Sequence, residues 1–246
     1  MIAPIVCVSW SLERGTQVPV ALLRMNSGNT DGIRASFLAE AKTQGMKVAV
    51  DDAVDKDPNP SQMQAECIKM RQAGVKVVYV YVSGLVQYQG VIACQSQGYK
   101  PQWVATSNGG NCSLEAPFGG PENDGCIQFA TAHNPGAVDH PFETQACAEW
   151  AETYPGEACP KPNDLAGPVT VWALLDMFRA TLEHAGPQLD RQTLVAKMAD
   201  FAYDSGFTNP LDFAGTQIGG HGELVWKTDA ANKRIVEIDG EWRSDW

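Results

Sequence analysis

The sequence predicts an α/β protein built around a parallel β-sheet. Apolar, strand-like runs alternate with amphipathic, helix-like runs between Val18 and Ala105. The strand-like runs are almost continuously apolar, and the runs between them have the length of helices. Such alternation is typical of βαβ units, whose parallel strands are buried on both faces of the sheet. Ligands of such sheets bind outside the carboxyl ends of the strands, so the loops after the strands are the candidate site.

The residue pattern of the individual runs distinguishes helices from strands within this repeat. The first helix places Ile33, Phe37 and Ala41 on one face, and the third strand (KVVYVYV) is rich in β-branched and aromatic residues. The predicted order is strand 18–25, helix 31–44, strand 46–50, helix 61–73, strand 76–82, helix 86–97 and strand 102–105.

The remainder of the chain predicts more helix than strand. A Gly- and Pro-rich loop at 107–125 leads to a strand at 126–132 and a helix at 140–154. Asn163 or Asp164 would cap a long helix that ends at the Gly-Pro of 186–187. Further predicted elements are a helix at 191–199 capped by Asp190, a loop with short β pieces at 206–222, and an antiparallel strand pair at 223–229 and 234–239.

Composition excludes two classes of partner. The formal net charge is -11, with 18 Lys and Arg in scattered positions, so no basic surface for nucleic acid is predicted. No run of 18 apolar residues is present, so no direct membrane span is predicted.

The first residues (MIAPIVCVSWSLERG) have neither a basic start nor a small-residue cleavage site, so no signal segment is expected in this chain.

The seven cysteines suggest three local disulfides. Cys67 and Cys94 are predicted at similar heights in consecutive parallel helices, because right-handed crossovers place such helices side by side. Local spacing further suggests the pairs Cys112–Cys126 and Cys147–Cys159, with Cys7 free. Disulfides imply an oxidising compartment. The alternative is seven buried thiols, which behave as small apolar side chains.

Three sequence blocks in a fixed order resemble the branched-chain-amino-acid type, or type I, solute-binding proteins of ABC transporters. They are VPVALLRMNSGNTDGIRASFLAEAKTQGMKVAVDD, then DPNPSQMQAECIKMRQAGVKVVYVYVSG with GVIACQSQGYKPQWVATSNG, and then AGPVTVWALLDMFRATLEHAGPQLDRQTLVAKMADF. Together they cover most of residues 18–222. The order of the blocks carries the resemblance, since no single motif is diagnostic.

The resemblance implies the type I periplasmic-binding-protein fold with a partial second lobe. Residues 18–155 with 223–246 would form a complete α/β lobe, which is the family's second lobe. Residues 1–17 with 156–222 would form hinge segments and part of the first lobe, and this chain would lack much of that lobe. The helix at 165–185 would then expose a wide apolar face and promote self-association.

The implied function is an extracytoplasmic solute-binding protein, periplasmic or at the cell surface. It would capture a small polar molecule in an interlobe cleft and deliver it to the membrane permease subunits of an ABC importer. The loops after strands one, three and four would supply the second-lobe contacts to the solute. Those candidate residues are Asn26, Ser27, Gly28, Ser83, Gly84, Thr106, Ser107 and Asn108. The alternative is that Ser, Asn and Gly are simply common loop residues.

Catalytic and metal motifs are absent from the sequence. Asp51 and Asp52 have no nearby nucleophile or histidine, so solvated loop charges are the expected interpretation. The four histidines show no zinc spacing, and no phosphate-binding loop or nucleophile elbow occurs. The sequence therefore predicts no enzyme, no cofactor and no metal. Two alternatives stay open: a ligand-binding sensor or receptor module, and an α/β enzyme with an unrecognised site.

Overall fold

The fold is that of a computed structural model. Its elements are, in chain order, β1 (Val20–Met25), α1 (Asp31–Thr43), β2 (Val48–Val54), α2 (Pro60–Gln72), β3 (Val77–Tyr81), α3 (Gly84–Gln95), β4 (Gln102–Ala105), β5 (Ile127–Ala130), α4 (Pro141–Thr153), α5 (Pro168–Ala185), α6 (Arg191–Met198), β6 (Ala202–Tyr203), β7 (Leu211–Asp212), β8 (Leu224–Asp229) and β9 (Arg234–Glu237). The structure describes residues 18–106, 109–114, 116–133, 141–159, 168–214, 220, 222–238 and 240–243, with only the backbone at 141–143 and 168–170. The apolar run at residues 5–8, which the sequence predicts as a strand, lies outside these residues, as do the predicted free Cys7 and the start of the predicted long helix.

The chain divides into two compact units. One comprises the described residues up to Ala130 together with Val225–Gly240, and the other comprises the described residues between Thr131 and Leu224 together with residues 241–243. The division falls at Ala130 because α4 packs on α5, where the Trp172 indole N–H donates to Glu149 Oε2 at 2.6 Å. The predicted lobe bounds, 18–155 with 223–246 and 1–17 with 156–222, stay predictions. The assignment of the two units to lobes of the family stays a prediction.

The first unit contains the predicted parallel sheet. The strand order is β2-β1-β3-β4-β5-β8-β9. Strands β1 to β5 pair in parallel, and β8 pairs with β9 antiparallel. Side chains alternate between the faces, so Leu22 joins the core under α1 with Phe37, whereas Leu23 joins the core under α2 and α3 with Met63. Both faces of the sheet are therefore covered by helices.

All three predicted disulfides are present. Cys67–Cys94 links α2 to α3, Cys112–Cys126 closes the loop between β4 and β5, and Cys147–Cys159 closes the end of α4. The first two pairs are almost completely buried.

Strand β2 extends further than the sequence predicts. The predicted strand ends at Val50, but β2 continues to Val54 and includes Asp51 and Asp52. Both carboxylates are half-buried and paired, because Arg34 Nε donates to Asp51 Oδ2 at 2.6 Å and Lys69 contacts Asp52. The expectation of solvated loop charges is therefore wrong. Their partners on α1 and α2 allow the strand to continue through two acidic residues.

The second unit exposes one apolar face of α5. Its small core contains Ala146, Ala173 and Phe207. Four large apolar side chains of α5 are about half exposed, as predicted for this helix: Val171, Leu174, Leu175 and Phe178. Within the described part of the chain, no helix combines the length and the hydropathy that crossing a membrane requires.

Candidate functional site

The three predicted site loops, which follow β1, β3 and β4, begin at one edge of the sheet in the first unit. Strands β1, β3 and β4 are consecutive neighbours and parallel, so their carboxyl ends meet at the same edge. The chain leaves β1 toward β2 on one side and leaves β3 toward β4 on the other. The order thus reverses between β1 and β3, and such a switch point is where parallel α/β sheets bind ligands.

The loop after β1 carries Asn26, Ser27 and Gly28. The Thr30 hydroxyl beneath it is buried and contacts the carbonyls of Met25 at 2.7 Å and Ser27 at 2.8 Å. Asn26 and Gly28 are exposed, and a short contact joins the Ser27 hydroxyl to Asn29. The Thr30 hydroxyl therefore fixes the loop from its buried side, and the polar groups of the loop face solvent.

The loop after β3 carries Ser83 and Gly84. Ser83 is the N-cap of α3, and its Oγ accepts a hydrogen bond from the Val86 N–H at 3.3 Å. Its hydroxyl hydrogen stays available to donate. A Cβ atom at Gly84 would lie 2.7 Å from Cβ of Asn111, so this position admits no side chain without movement. Ser83 therefore has a capping role beside its predicted binding role.

The loop after β4 begins with Thr106. Its backbone pairs with Gly109 in both directions, at 2.8 and 3.2 Å. Thr106 is 1% exposed, and its Oγ1 has no hydrogen-bond partner among the described residues. The predicted site residues Ser107 and Asn108 lie outside the described residues.

Charged groups near this edge are paired with one another. The Arg24 guanidinium at the end of β1 lies 3.6 Å from Asp31 Oδ1 and 3.8 Å from Asp51 Oδ1. On α2, burial and then the adjacent Asp52 raise the pKa of Glu66 to about 7. The described site loops themselves offer neutral hydroxyl, amide and backbone groups, which suit orientation of a polar solute.

Sequence reasoning missed the residues that support these loops. Gln87 of α3 is completely buried, although glutamine rarely is. Its Oε1 accepts the Asn111 N–H at 2.7 Å across 24 residues of sequence. The helical pattern gives no signal for this contact. The Gly109–Gly110 pair, which the sequence shows as an ordinary loop, was the available sign of a close backbone approach.

The described residues form no metal cluster, and a cavity lies away from the predicted site loops. Among the described residues, no group of three or more His, Cys, Asp or Glu side chains is placed to hold a metal ion. A cavity of about 440 Å³ lies at the opposite edge of the sheet, lined by residues that include Lys100, Gln102 and Asp124. It lies away from the predicted site loops.

Comparisons with known proteins agree with this architecture. A family model described as periplasmic binding protein matches residues 8–224. No curated protein matches the chain.

Solved structures give fold-level similarity. A branched chain amino acid ABC transporter protein from Thermus thermophilus with bound valine is 16% identical, with a TM-score of 0.78 over 99% of this chain and 65% of that one. A fatty acid ABC transporter substrate-binding protein from Thermomonospora curvata is 14% identical, with a TM-score of 0.75 over 100% of this chain and 64% of that one. An R. palustris solute binding protein in complex with 4-hydroxybenzoate is 12% identical, with a TM-score of 0.74 over 99% and 64%. The chain thus spans about two thirds of the length of these structures.

Proposed function

The chain belongs to the periplasmic binding protein family, and from this premise we propose that it is an extracytoplasmic solute-binding protein of an ABC importer. It would bind a small polar molecule at the carboxyl edge of β1, β3 and β4. The single observation that supports this site best is the meeting of the Asn26–Gly28, Ser83–Gly84 and Thr106 loops at the switch point of the sheet.

The proposed partners follow from the family. We propose that the solute passes to the permease subunits of an importer, because the similar proteins are named as ABC transporter proteins. An extracytoplasmic location agrees with three disulfides, since such bonds persist in oxidising compartments. We also propose self-association through the exposed apolar face of α5.

The solute class is proposed only as small and polar. The similar proteins carry names or ligands as different as valine, fatty acid and 4-hydroxybenzoate. We propose a binding function without catalysis, because the described site loops place no nucleophile beside a base. A panel of amino acids, amides, short-chain acids and polyols tests the solute class, and turnover of any of them would favour an enzyme.

The experiment is a thermal shift measurement with this panel. A solute that binds only the folded state stabilises it by about 2.7 kcal/mol at a concentration one hundred times its Kd, so high concentrations reveal even weak binding. We expect at least one solute class to raise the melting temperature. A completely negative panel at high concentration would contradict the proposal.

A matched pair of variants locates the binding. Ser83→Asp keeps an N-cap acceptor for α3 and adds a negative charge in the proposed site. Asn59→Asp makes the same change of charge at the N-cap of α2, where Asn59 Oδ1 accepts the Gln62 N–H at 2.9 Å. The rise in melting temperature that the solute causes should differ from the wild-type value in Ser83→Asp and match it in Asn59→Asp. An equal rise in both variants would place the site elsewhere.

A further inference from the structure

A buried glutamine holds the segment that follows the third site loop. Gln87 is 0% exposed within the first unit. Its Oε1 accepts the Asn111 N–H at 2.7 Å, and its Nε2 lies 3.3 Å from Cys126 Sγ. One side chain of α3 therefore contacts both the loop backbone and the disulfide that closes the loop.

The same segment is fixed at two neighbouring residues. The Gly110 N–H donates to the Val82 carbonyl at 2.6 Å, and the Cys112 N–H donates to Gln128 Oε1 at 3.0 Å. Gly110 has φ +80°, and a Cβ atom there would lie 2.2 Å from Gln87 Oε1. The backbone approaches Gln87 so closely that only glycine fits.

The segment that Gln87 contacts packs against the start of α3. Asn111 packs against Gly84, where a Cβ atom would lie 2.7 Å from that of Asn111. The backbone bridge between Thr106 and Gly109 comes directly before this segment. Two of the three described site loops therefore touch or directly precede the segment that Gln87 contacts.

We infer that Gln87 is a positioning residue of the solute site, and that together with the Cys112–Cys126 disulfide it sets the place of the Thr106–Gly109 bridge and of Asn111 beside Gly84. The inference rests on the proposed function for its effect on binding. The contacts of Gln87 with the Asn111 N–H and Cys126 Sγ, which together form the Gln87 clamp, do not depend on that function. An apolar residue at 87 would leave the Asn111 N–H without this acceptor. The hydrogen bond would be lost, and the segment could then adopt other positions.

The test compares two variants with the wild type. Gln87→Met has a similar shape and replaces the amide oxygen that accepts the Asn111 N–H with a thioether, which is only a weak acceptor. Gln95→Met removes a glutamine hydrogen bond on the same helix, because Gln95 Nε2 donates to the Glu122 carbonyl at 2.8 Å, away from the clamp. Hydrogen exchange of the Asn111 amide is measured against that of Leu22 in β1, and the affinity is measured for the panel solute that most stabilises the wild type.

Gln87→Met should accelerate exchange at Asn111 by roughly threefold to tenfold relative to Leu22 and weaken the solute by a similar factor. Gln95→Met should retain both wild-type values. Equal acceleration at Asn111 and Leu22, or no acceleration at either, would overturn the positioning role. Where no panel solute binds the wild type, the proposed function fails, and the exchange results still decide whether Gln87 positions the segment.

Gln128→Met keeps the inference testable should Gln87→Met not fold. It removes only the acceptor of the Cys112 N–H. Exchange should rise at Cys112 while Asn111 stays protected by Gln87. Loss of protection at Asn111 in this variant would show that Gln87 does not hold the segment by itself.

Discussion

Removing the Cys67–Cys94 disulfide should destabilise the first unit strongly. The bond joins residues 27 apart in sequence, and both sulfurs are completely buried between α2 and α3. The chain-entropy relation for a loop of this length gives about 3.5 kcal/mol at room temperature. The paired change Cys67→Ala and Cys94→Ala also leaves a small cavity, which adds about 1 kcal/mol. The expected loss is therefore about 3 to 5 kcal/mol.

The assay is hydrogen exchange in increasing urea, read at the β3 amides for the first unit. Cys147→Ala with Cys159→Ala is the control, read at the α4 amides, because that bond spans only 12 residues and both sulfurs are half-buried. We expect about 3 kcal/mol from that pair, without a cavity contribution. A loss below about 1 kcal/mol for Cys67 and Cys94, with the bond verified in the wild type by mass spectrometry, would refute the reasoning.

Two further predictions concern pH and association. The pKa of Glu66 is raised from 4.5 to about 7. The folded chain therefore binds this proton more tightly than the unfolded chain does. The stability that this gives the folded state is lost as pH rises from about 4.5 through 7. Glu66 is only partly buried, so Glu66→Gln should raise the unfolding free energy at pH 8 by about 1 to 3 kcal/mol. An equal gain at pH 4 in urea unfolding would contradict this. Phe178→Glu should reduce concentration-dependent association in sedimentation velocity, whereas Gln192→Glu, an exposed change on α6, should not. A wild type that stays monomeric at all concentrations would exclude association through α5.

Sequence patterns predicted the first unit well because its strands are buried on both faces. The alternation of apolar and amphipathic runs places β1, β3 and β4 within two residues of their observed ends. Disulfide pairing was equally accessible, since consecutive crossover helices bring Cys67 and Cys94 together. These features depend on local periodicity and on the handedness of crossovers, which a single sequence contains.

Features that depend on distant partners were not predicted. The extension of β2 through Asp51 and Asp52 requires cations from two different helices, and hydropathy alone ends the strand early. The Gln87–Asn111 hydrogen bond joins a helix to a loop 24 residues away, and no periodic pattern marks it.

The central claim is that the solute binds at the carboxyl edge of β1, β3 and β4. The most direct measurement is an amide chemical-shift titration with the panel solute that most stabilises the chain. We predict saturable shifts concentrated at Asn26–Gly28, Ser83–Gly84 and Thr106. Saturable shifts confined to the opposite edge, around the 440 Å³ cavity at Gln102 and Asp124, would contradict the account.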